Sequence, residues 1–148
     1  MKTDAWDKDG RDLSAFLATH DMRFERLPSC WQEAPHFGNA MLGSMLYLKD
    51  GKLCLEIFRA DVRDHRDESY GWTAYSRPRF RIGHFELCSS GAPTGCRWRK
   101  DLWNAELTGT VLTDQGEIGI RHFVHSGDMA IVTELAPSGN ELCCHRRQ

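Results

Sequence analysis

The stretch Ser44-Met45-Leu46-Tyr47-Leu48-Lys49-Asp50-Gly51-Lys52-Leu53-Cys54-Leu55-Glu56-Ile57-Phe58 decides the fold class. Asp50-Gly51 is a two-residue type I′ turn sequence, because Gly takes positive φ freely and Asp tolerates it. A two-residue loop pairs residues whose numbers sum to a constant. Leu48 then faces Leu53 and Leu46 faces Leu55, all on one side of a sheet. Turn chemistry and alternation specify the same register.

Strand signals continue downstream. A second hairpin runs from Ala105–Leu112 through Asp114-Gln115-Gly116 into Glu117–Val124. Ser126-Gly127-Asp128 turns the chain into Met129–Leu135. In Arg79–Leu87 the alternation changes face near Gly83, where a bulge is expected. Upstream, Leu13, Phe16 and Leu17 stand at i, i+3 and i+4 behind Asp12, which can cap a short helix ending near His20-Asp21. No further helical period follows. Hairpin-linked strands without crossover helices imply an all-β fold: a two-sheet antiparallel β-sandwich with one short N-terminal helix.

Length and composition agree. The 148 residues suffice for one domain with a real core. Hydrophobic residues are 41% and charged residues 27%, which excludes a disordered tail or a coiled coil. Residues 1–11 are expected to be a loose segment, 12–142 the sandwich, and 143–148 a frayed tail. With 19 basic against 21 acidic side chains the net charge is −2, which argues against a nucleic-acid partner. No apolar run approaches the length that spans a bilayer, so no membrane partner is expected. The opening residues carry no apolar signal region, so a cytoplasmic location is expected. The six cysteines include no Cys-x-x-Cys pair and are read as free thiols, with no metal or other cofactor expected.

Chemistry is sparse. No nucleophile elbow, phosphate loop, zinc helix or dinucleotide fingerprint occurs, and no catalytic residue is assigned. His125, Ser126 and Asp128 are too close in sequence for triad geometry and read as a turn. His122 and His125 fall on opposite strand faces and make poor co-ligands. Glu106 and Glu117 read as solvated strand residues. The mixed-sign run Arg59–Glu68 is either a solvated loop or a salt-bridged strand exit beside a cleft. Five Trp are more than a small core requires, and indole rings serve carbohydrate stacking and domain interfaces alike.

Pro28–Tyr47, with Trp31, Ala34, Pro35, Gly38, Asn39, Leu42 and Gly43, resembles the start of the N-terminal β-sandwich domain of glycoside hydrolase family 95, the α-L-fucosidase and α-L-galactosidase family. That family opens with a Trp, an Ala-x-Pro and a Gly-Asn-Gly leading into a strand. The helix around Leu13–Leu17, the strand into Arg59–Arg66 and the block Asp101–Thr110 extend the resemblance over roughly residues 12 to 138. Ala40 departs from it, standing where the family has a second Gly. The resemblance implies a non-catalytic domain that packs against a catalytic (α/α)6 barrel. Catalytic residues of the family lie on that barrel, and none has an equivalent among these residues. The interface or substrate side is expected to use Trp31, His36, Phe37 and Asn39, with Arg59, Asp61 and Arg63 beside them. Self-association through a bare face is a further expectation. The rival reading is a free-standing carbohydrate-binding module. Aromatics among polar neighbours on a concave face favour the module, and aromatics on a flat apolar patch favour the interface. A small enzyme with paired carboxylates ranks third.

Overall fold

The computed structural model describes residues 12–63 and 79–147. The expected loose segment 1–11, Trp6, Trp72 and the second half of the mixed-sign run lie outside the described residues. Helix α1 (Leu13–Ala18) is followed by β1 (Met22–Phe24), β2 (His36–Gly38), β3 (Leu42–Lys49), β4 (Lys52–Arg63) and β5 (Arg79–Ser89). Then come β6 (Pro93–Asp101), β7 (Glu106–Thr113), β8 (Gly116–Val124), β9 (Ile131–Gly139) and β10 (Cys143–Arg147). They form two five-stranded antiparallel sheets, ordered β1-β6-β7-β8-β9 and β10-β5-β4-β3-β2. The fold is an all-β sandwich.

The first hairpin has the register its turn dictates. Leu48 pairs with Leu53 and Leu46 with Leu55, and Asp50 and Gly51 both take positive φ, 50° and 76°. The bulge expected at Gly83 is present. Ile57 pairs with Gly83 and Phe58 with Arg81, leaving Ile82 as the extra residue. Asp12 caps α1 by accepting from the Ser14 and Ala15 amides at 3.0 and 3.1 Å.

Strand β2, His36–Gly38, pairs with Gly43–Met45. One expectation needs correction: the chain was expected to fray from Cys143, yet Cys143–Arg147 pairs with Phe85–Ser89. Backbone ladders need no apolar pattern, and this one covers an otherwise open edge of β5.

Inward residues fill the space between the sheets. Leu46 and Leu53 from one sheet meet Leu107, Val111 and Ile118 from the other, all nearly inaccessible. Trp98 packs edge-on against Phe24 at 6.4 Å. Each fully buried Leu or Ile contributes roughly 1.5–3 kcal/mol of transfer free energy. The core also holds a polar clasp. His122 Nε2 on β8 lies 2.7 Å from Ser44 Oγ on β3, joining the sheets, and its Nδ1 lies 2.9 Å from Thr133 Oγ1. Phe37 meets the imidazole edge-on at 5.3 Å.

The crossings from β5 to β6 and from β9 to β10 are tied at Glu141. Its buried carboxylate accepts from the Gly91 amide at 2.9 Å, from Ser90 Oγ at 3.1 Å and from Thr113 Oγ1. Gly91 suits this spot because a Cβ there would lie 2.7 Å from Thr113 Oγ1.

Candidate functional site

The outer face of the second sheet carries a candidate site. Alternation sends Leu46, Leu53 and Leu55 inward, so Met45, Tyr47, Cys54, Glu56 and Phe58 point outward. Strand register sets His36, Met45, Glu56 and His84 in one row across four strands. Glu56 stands near the middle of that row and is only 4% exposed. Burying a carboxylate demands partners, and among the described residues it has two. Tyr47 donates its hydroxyl to Oε2 at 2.9 Å, and Arg81 donates Nη1 to Oε1 at 2.8 Å. Burial and the Glu56 carboxylate push the Tyr47 phenol up, so it stays a neutral donor. The same carboxylate raises the Arg81 guanidinium.

An open groove of about 470 Å³ runs over this pair, lined by Trp31, Met45, Glu56, Phe58, Phe80 and Arg81. Trp31 is 58% exposed and Phe80 43%. Two aromatic side chains therefore offer apolar surface to solvent beside a buried charge. The loop that presents Trp31 is fixed at its base by Glu33, which accepts from the Ser29 amide at 3.2 Å and from Arg26 at 3.3 Å. These contacts, the Ser29 amide first, hold its carboxyl below the usual range. Further along the face Lys52 donates to Glu86 at 2.7 Å. Glu56 and Glu86 are carboxylates on neighbouring strands, but Arg81 occupies one and Lys52 the other. A carboxylate bonded to a cation offers an acceptor rather than a proton, so the pair is not arranged as the acid and base of a hydrolase.

The residues expected at a site are distributed over three environments. Trp31 lines the groove, and His36 stands exposed at the edge of the same face. Phe37 is not at any surface: it points inward, packs on His122 and has Lys100 Nζ 5.2 Å from its ring centroid. Its neighbour His36 took the outward position, as strand alternation requires. Asn39 and Arg59 lie at the same end of the sheet, where Leu42 pairs with Arg59 and the Ala60 amide donates to Met41 O at 2.8 Å. Asn39 Oδ1 accepts from the Met41 and Leu42 amides, while Nδ2 donates to His125 O at 2.8 Å and Asp128 O at 3.1 Å. Arg59 forks onto Asp61 at 3.0 and 2.7 Å, holding that carboxyl low, and Arg63 Nε donates to Ala60 O.

Glu56, Tyr47, Phe58, Phe80 and Arg81 were absent from the sequence-based site. In the sequence Glu56 is one polar position of an alternating strand, and its cation comes from another strand 25 residues on. The buried Ser44–His122 pair resembles a nucleophile and base by type, yet both are inaccessible to any substrate. Among the described residues no three His, Cys, Asp or Glu are placed to hold a metal ion. No helix among them is long and apolar enough to cross a membrane. Compared with known proteins, the chain matches no family model and no curated sequence.

Proposed function

We propose that the chain is a non-catalytic β-sandwich domain like the one that precedes the catalytic (α/α)6 barrel in family 95-like glycoside hydrolases, which act on α-L-fucosyl and related glycosides. One observation carries the reading: two blocks of the resemblance, the Gly38–Gly43 turn and the Arg59–Arg63 strand end, come together at one end of the sandwich. They are joined there through Met41, and Asn39 ties the turn to the His125–Asp128 loop. Ala40, the departure from Gly-Asn-Gly, has φ 76°, the left-handed conformation a Gly adopts without cost. The turn thus has at Ala40 the backbone geometry that a glycine favours. This end, with Asn39, Arg59 and Asp61 on it, is the side that borders the barrel and its substrate cleft.

The test is hydrolysis of an aryl α-L-fucoside and α-L-galactoside panel by the purified chain. No turnover is expected. Turnover abolished by changing one carboxylate would overturn the reading and place an active site in the sandwich.

The groove over Glu56 and Arg81 favours a second reading, a carbohydrate-binding module. Its aromatics cluster with polar groups instead of spreading over a flat apolar patch. Sugar binding without turnover supports that reading.

A further inference from the structure

We propose that the groove on the outer face of the second sheet binds a single neutral pyranose ring, with Trp31 under its apolar face and Glu56 and Arg81 dividing a vicinal diol between them. This rests on the second reading above and assigns its site, ligand class and residue roles.

The chemistry of the lining narrows the ligand. A carboxylate offers about four acceptor sites and a guanidinium five donors. Tyr47 and Arg81 each donate one bond to Glu56, and the Arg81 side chain is 62% exposed, so donors and acceptors are left side by side. An anion at this spot meets the Glu56 charge, and a cation meets Arg81. A neutral diol avoids both penalties: one hydroxyl donates to Glu56 while its neighbour accepts from Arg81. Tyr47 acts as a positioning residue, holding the other carboxylate oxygen so that Glu56 faces the groove in one orientation.

The apolar surface completes the match. A pyranose presents C–H bonds on a face and hydroxyls around its edge. Trp31 and Phe80 supply exposed rings next to the polar pair, and Met45 and Phe58 form the floor. The volume of about 470 Å³ lies within the usual small-molecule range of about 300–1,000 Å³. With one ring of about twelve heavy atoms, ordinary ligand efficiency gives a Kd on the order of 1 mM.

The experiment titrates the purified chain with methyl α-L-fucoside, α-L-galactoside, β-D-glucoside and β-D-galactoside, followed by calorimetry and ligand-observed NMR. Trp31→Ala and Arg81→Lys are run beside it. Trp31 is exposed, so its removal leaves folding intact, and Arg81→Lys keeps the charge while removing the fork. The expected result is saturable millimolar binding of at least one glycoside, weakened about tenfold by Trp31→Ala and weakened again by Arg81→Lys. Binding unchanged in both variants overturns the site while leaving a carbohydrate module standing elsewhere on the surface. No binding of any glycoside overturns the site and the module reading together.

Discussion

Acidification should unfold this protein earlier than its carboxylates alone would allow, and the cause is His122. The imidazole is wholly inaccessible, and burial lowers its pKa from the ordinary 6.5 to about 4. Its two neighbours are hydroxyls, which can accept from both N–H groups of an imidazolium as readily as they pair with the neutral ring. The cost of charging it is therefore desolvation, not a lost hydrogen bond. The sign follows from the two states. The unfolded chain takes up the proton near pH 6.5 and the folded chain only near pH 4. Stability is complete above the upper value, falls as pH drops between the two, and is level below the lower. At about 1.4 kcal/mol per pH unit the full loss is about 3 kcal/mol, of which about 2 kcal/mol has gone by about pH 5. For a chain of 148 residues that corresponds to a Tm lowered by about 4–8 °C. Glu141, whose carboxyl is held below 4.5 by Thr113, Ser90 and the Gly91 amide, adds its own loss only below that value. Thermal melts across the range from pH 8 to pH 5, with ring-nitrogen NMR of the imidazole, test this. The slope should vanish in His122→Gln. An imidazole titrating near 6.5, or a wild-type Tm flat over that range, would refute the reasoning.

Two further outcomes are expected. Ala40→Gly should stabilise the chain by about 1 kcal/mol in urea titrations, because a left-handed L-residue costs about 1–2 kcal/mol and part of that gain is returned as glycine's extra unfolded-state freedom. Leu46→Ala, at a core position only 1% exposed, should cost about 2–5 kcal/mol, measured by the same midpoint shift, whereas Trp31→Ala stays within about 0.5 kcal/mol.

What the sequence discloses here depends on how local the cause is. The Asp50-Gly51 hairpin and the Asp12 cap are set by residues within a few positions of one another, and both have the predicted form. The bulge at Gly83 is legible for the same reason, since one glycine interrupts a regular alternation. Strand β6 escapes notice because its inward Cys96 and Trp98 are separated by Arg97 and followed by Arg99 and Lys100, a pattern that looks solvated until β1 and β7 flank it. Strands β1 and β2 have three residues each, too few to show a period. The site divides in the same way. Trp31 is visible as an aromatic on a loop. Glu56 and Arg81 acquire meaning only when β4 and β5 pair across a bulge that changes which face Arg81 presents.

Asn39 separates a structural role from a binding role. As part of the Gly-Asn motif it was expected at an interface, yet all its bonding capacity is visibly engaged within the sandwich. Its oxygen closes the turn between β2 and β3, and its amide holds two carbonyls of the loop between β8 and β9, which belongs to the other sheet. At about 1 kcal/mol net per hydrogen bond, discounted for partial exposure, Asn39→Ala should cost about 2–3 kcal/mol. Asn39→Asp divides the effect. It keeps the acceptor for the Met41 and Leu42 amides but sets a carboxylate oxygen against the His125 and Asp128 carbonyls. Hydrogen exchange should then show Met41 and Leu42 still protected while the loop around the His125 amide, bonded to Ala130 O at 2.9 Å, exchanges faster. In Asn39→Ala both regions should exchange faster. If Asn39→Ala changes stability by less than about 0.5 kcal/mol and leaves both regions protected, the motif is not maintained by the fold. Its asparagine would then serve whatever packs on that end of the sandwich, and the bonds seen here would be the resting arrangement of a residue meant for a partner.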